Sequence, residues 1–194
     1  MNAALPELLD LIQEIHPLEP NLLQSFAGEF SYSEYPKNYL LQKAGMPCYS
    51  LWLMRSGIVR AFFVEADGKE RNTWFSFDRQ VITDASSFVT QEPAQENIQL
   101  LEDSAFFSIP ILRMRELMHQ HHTIAIWIIR LLEKHYIVQM EDRVSDLQFL
   151  DARARYEKLL TIHPGITNRI SLGHIASFLN ITQETLSRIR ADKA

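Results

Sequence analysis

At 194 residues, 46% hydrophobic and 22% charged with 6 Gly and 8 Pro, the chain has the composition of a folded globular protein, and roughly 150 residues per domain allows one large domain or two small ones. A single cysteine, Cys48, excludes an internal disulfide framework, a four-cysteine zinc site and an all-cysteine iron–sulfur cluster, and fits a reducing cytoplasm. The formal charge of -5 argues against a general polyanion binder, yet from Arg143 onward eight Lys and Arg stand against five acids. A mildly basic tail on an acidic body assigns any phosphate contact to the tail.

Leu5, Leu8, Leu9, Ile12 and Ile15, then Leu22, Leu23 and Phe26 after Pro20, predict two short helices over residues 5–27. The N-terminus lacks a basic region followed by an apolar run, and the apolar cluster 124–129 is too short to span a bilayer, so neither a targeting nor a transmembrane segment is expected. From Phe30 to about Ile109 short runs of Tyr, Phe, Trp, Val and Ile alternate with turns, which predicts an all-β stretch closed as a barrel or sandwich. Its clearest unit is a hairpin turning at Asp67-Gly68, between a strand with Val59, Ala61 and Phe63 and one with Trp74 and Phe75.

Ser108 as N-cap and Pro110 in the first turn predict a short helix with Leu112, Leu117 and Met118. Residues 123–147 contain neither Gly nor Pro and predict a helix of about 37 Å at about 1.5 Å per residue. Two apolar stripes run along it, Ile124, Ile128, Leu131 and Val138 on one face and Ile126, Ile129, Tyr136, Met140, Val144 and Leu147 on another. A helix apolar on two faces needs two covers, and a second subunit placed on the stripe Ile124, Ile128, Leu131 and Val138 makes a homodimer. The alternative is that both faces are buried within one subunit.

A polar joint near Asp142 and Arg143 precedes a helix from Leu147 to Ile162, followed by the most informative segment. Ser171 can cap a helix through His174, Ile175, Ala176, Phe178 and Leu179, Asn180 can take a left-handed turn, and Thr182 can cap a second helix with Thr185, Leu186 and Ile189 inward. Two short helices joined this tightly form a helix-turn-helix. The outer face of the second collects Gln183, Glu184, Ser187, Arg188 and Arg190, residue types that reach base edges and phosphates in a DNA groove; a generic helical hairpin has the same periodicity without that chemistry.

These segments resemble the Crp/Fnr transcription regulators over nearly the whole chain. YLLQKAGMPCYSLWLMRSGIVRAFFVEADGKER resembles the opening of that family's β-roll, with Gly45, Gly57 and Gly68 at turns, and IASFLNITQETLSRIR resembles its recognition motif. The resemblance implies an α+β fold: a double-stranded β-helix sensor (a jelly-roll-like β-roll) over residues 1–122, a long dimerisation helix over 123–147 and a C-terminal winged-helix domain over 148–194. It also implies a cytoplasmic homodimer reading a palindromic site on double-stranded DNA, with Gln183, Glu184 and Arg188 on bases and Thr182, Ser187, Arg190 and Lys193 on phosphates. Contact with RNA polymerase would come from a surface loop that no motif marks. Arg169 to Leu172 offers only a rudimentary wing strand.

The sensor departs from its cAMP-binding relatives. Their phosphate cassette runs Gly-Glu, then after about ten residues Arg-Ser/Thr-Ala, and an ungapped alignment from Phe77 to Asp103 places Thr83-Asp84 and Ala94-Gln95-Glu96 there. The Arg that pairs the phosphate is missing and Glu96 adds a negative charge, so cAMP is not the expected effector and no cofactor is expected. Asp84, Ser86, Ser87 and Gln95 are the candidates to line a pocket for an uncharged or cationic effector; a solvated loop is the alternative. His119, His121 and His122 do not converge as metal ligands, Cys48 reads as a small buried hydrophobe, and no catalytic constellation is present, so an enzyme is not expected. The competing function is a β-roll that binds a small molecule or protein and does not bind DNA sequence-specifically.

Overall fold

The computed structural model describes residues 4–192. Two helices, α1 (Leu5–Ile15) and α2 (Pro20–Ala27), carry Pro6 and Pro20 in their first turns, where a missing N–H costs nothing. Eight strands follow: β1 (Ser31–Tyr35), β2 (Leu40–Gln42), β3 (Ser50–Ser56), β4 (Val59–Val64), β5 (Glu70–Ser76), β6 (Val81–Ile82), β7 (Asn97–Leu100) and β8 (Ser104–Pro110), with the short helix α3 (Ala85–Thr90) between β6 and β7. They form two antiparallel four-stranded sheets, ordered β1-β8-β3-β6 and β2-β7-β4-β5, which is the expected β-roll. Gly68 takes φ +83 in the β4–β5 turn, where the Glu65 amide donates to the Lys69 carbonyl at 2.8 Å.

Phe106, Phe107, Leu51, Leu53, Ile98 and Leu100 are buried in one hydrophobic core that packs on the sheets. Helices α1, α2, α4 (Ile111–Gln120) and α5 (His122–Leu132) extend the same core, and Trp127 donates its indole N–H to the Ile12 carbonyl at 2.8 Å. Cys48 is fully buried and unpaired by disulfide. Ser108 does not cap α4: it stays in β8 opposite Ser31 and Trp52, because strand pairing on both sides outweighs a local cap.

The long helix runs from α5 through a π turn (Glu133–Ile137) into α6 (Val138–Phe149). It passes unbroken through Asp142 and Arg143, so the expected joint is not there; the chain turns at Leu150 and Asp151, and Asp151 caps α7 (Ala152–Ile162) by accepting from the Ala154 amide. Ile124, Ile128 and Leu131, assigned from sequence to a partner subunit, are buried at 0–2% exposure among the core residues of their own chain. Their burial leaves Ile137, Val138, Met140, Val144 and Leu147 exposed, and α6 has no buried residue at all.

Beyond α7 lie α8 (Ile166–Arg169), α9 (Leu172–Phe178) and α10 (Gln183–Ala191). Arg169 to Leu172 forms no strand, and among the described residues the C-terminal domain contains helices alone. A second core joins this domain to the β-roll: Tyr156, Leu159, Ile166, Ile175, Leu179, Leu186 and Ile189 pack together with Ile58 and Leu101 of the roll.

Candidate nucleic-acid interface and effector cavity

Local chemistry sets the two-helix motif. The Ser171 hydroxyl accepts from the His174 amide and the Thr182 hydroxyl from the Thr185 amide, each capping its helix, while Asn180 takes φ +55 between them. Buried Ala176 provides the small side chain at the helix crossing, and Leu186 and Ile189 bury the inner face of α10. Gln183, Glu184, Ser187, Arg188 and Arg190 are all exposed on its outer face. Neither Arg188 nor Arg190 forms an ion pair among the described residues, so both cations are free for an anionic partner; the ion pair of this region joins Arg153 and Asp192. Thr182 is exposed at the N-terminus of α10, and Lys193 lies outside the described residues.

Helix α9 is docked on the β-roll. Strand β5 is the outermost of its sheet, and Ser177 covers its open edge: the hydroxyl accepts from the Asn72 amide at 3.0 Å and donates to the Glu70 carbonyl at 3.2 Å. The Asn72 side-chain amide donates to the His174 carbonyl at 2.9 Å, and Arg60 donates to Asn72 Oδ1 at 3.1 Å and approaches His174 Nδ1 at 3.2 Å. Because Arg60 can only donate, that nitrogen accepts and the ring is neutral; burial, then the Arg60 charge, hold the His174 pKa below the usual range. Arg60 itself is paired with Glu70 at 2.6 Å. Phe75 meets Phe178 at 5.1 Å, His163 stacks on Phe77 at 4.0 Å, and Arg169 pairs with Glu102 and Asp78. Sequence periodicity shows none of these contacts, since each joins residues far apart in the chain.

A cavity of about 500 Å³ opens between the β-roll and the long helix. Asp84, Ser86 and Gln95 line it, together with Thr83, Ala94 and Glu96 of the aligned cassette positions. Ser87 does not: it is buried beneath the cavity, accepting from the Cys48 amide at 2.8 Å and donating to the Glu92 carbonyl at 2.5 Å. The remaining wall was not legible from the cassette: Trp74, Phe75 and Ser76 come from β5, and Tyr136, Gln139, Met140 and Arg143 from the long helix. The π turn carries Tyr136, whose hydroxyl donates to the Thr83 carbonyl at 2.5 Å and is pushed well above the usual phenol range by burial. Burial also raises the Glu96 carboxyl, although Trp74 donates to it at 3.2 Å.

Residues 32–121 match the family model of the cyclic nucleotide-binding domain. The chain has the Crp/Fnr fold. FixK2 from Bradyrhizobium japonicum superposes with a TM-score of 0.70 at 16% identity, covering 84% of this chain and 83% of that one. The c-di-GMP responsive global regulator CLP of Xanthomonas campestris gives 0.70 at 17% identity, with 90% and 93% covered. A protein of Eubacterium rectale assigned to the Crp/Fnr family gives 0.71 at 18% identity, with 89% and 82% covered. No curated protein matches the sequence. In the Crp/Fnr fold seen here, the cavity lies where the cyclic nucleotide-binding domain meets the long helix, and no described helix is long and apolar enough to cross a membrane.

Proposed function

We propose that the protein is a DNA-binding transcription regulator that acts as a homodimer. The exposed face of α10 carries the reading: Gln183, Glu184 and Arg188 meet base edges in the major groove, and Thr182, Ser187, Arg190 and Lys193 meet phosphates. Dimerisation rests on the spacing Ile137, Met140, Val144 and Leu147, a three-four-three repeat of exposed apolar residues running from the π turn along α6, none of whose residues is fully buried within its own subunit. A second copy is the occupant such a seam fits, since two parallel long helices would set two α10 helices about 34 Å apart on a two-fold symmetric site. The sensor spans residues 1–122, the long helix 123–147 and the DNA-binding domain 148–194, within a cytoplasmic protein without catalytic activity. The cavity holds a small-molecule effector other than a cyclic nucleotide bound in the familiar manner, because no Arg stands in the cassette and Glu96 occupies its edge. RNA polymerase is a partner if the protein activates.

The lack of a wing strand among the described residues and the docked α9 favour the second reading, a β-roll whose tail does not bind DNA sequence-specifically. Titration of a duplex at two salt concentrations separates the two. Under the DNA-binding reading log affinity falls steeply with log salt as phosphates are neutralised, and a flat response supports the second reading.

A further inference from the structure

Arg143 belongs at once to the cavity and to the contact that holds α9. It lines the cavity, its guanidinium lies 4.0 Å over the Phe178 ring, and it donates to the Phe178 carbonyl. Phe75 repeats the pattern, lining the cavity while its ring meets Phe178. Arg143 forms no ion pair among the described residues: Asp146, one turn along α6, is taken by Lys158 at 2.7 Å. A second guanidinium, Arg155, lies near enough to repel it, and Arg155 Nε is buried without a hydrogen-bond partner. Among the described residues Asp146 is the one acid acting on Arg143 and it is shared with Lys158, so the cations here outnumber their counter-charge and favour an added anion.

The acids of the cavity do not compete for that role. Asp84 is occupied as the cap of α3, accepting from the Ser87 amide at 2.8 Å, Glu96 accepts from Trp74, and Glu92 is exposed to water. Trp74, Phe75, Pro93 and Met140 offer apolar surface beside Arg143. Building on the effector reading of this cavity, we propose that it takes a small molecule with an apolar or aromatic body and a carboxylate that pairs with Arg143, and that this pairing draws Arg143 off Phe178 and loosens α9 from the β-roll. Sequence reading points to an uncharged or cationic effector because Arg143 lies far from the cassette. One residue thus selects the ligand's charge and transmits its presence, since an effector shifts an equilibrium only through contacts that differ between the two states.

The test uses the full-length protein with 13C-methyl methionine, reading the Met140 methyl at the cavity. The probes are 2-naphthylacetate, its primary amide and 2-naphthylethylamine, one body with negative, neutral and positive ends. The carboxylate is expected to shift Met140 with about ten-fold tighter binding than the amide or amine, the scale of a charge-assisted pair. Arg143→Gln removes that preference, Arg143→Lys restores part of it, and unchanged shifts of the buried Met54 and Met114 methyls establish that the variants fold. Saturating carboxylate is also expected to speed hydrogen exchange of the Asn72 amide by about ten-fold, because its acceptor Ser177 sits on α9. Equal binding of the three probes, a preference that survives in Arg143→Gln, or exchange at Asn72 that ignores the carboxylate would each overturn the proposal. With DNA absent from the sample, failure of the DNA-binding reading leaves these outcomes unaffected.

Discussion

Replacing Asn72 by Ala should release α9 from the edge of the β-roll while leaving the roll intact. Asn72 is 4% exposed, and its side chain donates across the interface to the His174 carbonyl at 2.9 Å while accepting, within the roll, from Arg60 at 3.1 Å. A neutral bond contributes about 0.5–1.5 kcal/mol net, so losing the one that crosses to α9 costs docking about 1 kcal/mol. That is a shift of about five-fold in the docking equilibrium, taking about 1.4 kcal/mol per factor of ten. Arg60 keeps Glu70 and Gln99, which stops the cost from growing into that of an unpaired buried charge. The amide of residue 72, a donor to Ser177 in the docked state, reports the change directly in native-state hydrogen exchange. Amides in the β3–β8 ladder should keep their rates. The reasoning fails if residue 72 exchanges as slowly in the variant as in the parent, or if the β3–β8 ladder accelerates equally, because the change would then be absent or global.

Docking should also respond to pH. His174 is held neutral in the docked state, with Arg60, Glu70 and Asn72 facing it, whereas an undocked imidazole titrates near 6.5. The undocked form therefore binds more protons below that pH, so docking is complete above about 6.5 and weakens as the solution is acidified; His163, lowered by burial against Phe77, adds in the same direction. Energy transfer between dyes at exposed positions 66 and 184 should fall from pH 7.5 to pH 5, and a signal constant or rising in acid would contradict this. Val144→Asp places a charge in the exposed seam of α6 without touching the subunit core, so sedimentation should find a folded monomer with dimer affinity reduced by about 100-fold or more. An unchanged dimer would remove the seam from the interface. Arg188→Ala should cost about 1–3 kcal/mol of binding to a selected site and relax preference at one base pair; undiminished affinity would take Arg188 out of base reading.

Features governed by neighbouring residues were legible in the sequence. Asp67-Gly68 marked the β4–β5 turn, and Ser171, Asn180 and Thr182 marked the two-helix motif, because capping and left-handed turns are decided within four residues. Periodicity could find two apolar stripes on the long helix but not say which was covered from within. Ile124, Ile128 and Leu131 turned out to pack in their own subunit's core, and the π turn at Glu133–Ile137 shifts the register that a regular helix would keep. Ser87 and Ser86 look alike in sequence, yet only Ser86 faces the cavity. Arg143 read as part of a polar joint because its two partners, the cavity and Phe178, come together only through the fold.

The central claim is most directly tested by selecting bound duplexes from a random pool with the purified full-length protein, at two salt concentrations and without added ligand. Enrichment of an inverted repeat with half-sites about one helical turn apart is expected for a dimer presenting two α10 helices. A pool that stays random at both salts, with binding indifferent to salt, would contradict the account and leave the β-roll as a module that does not bind DNA.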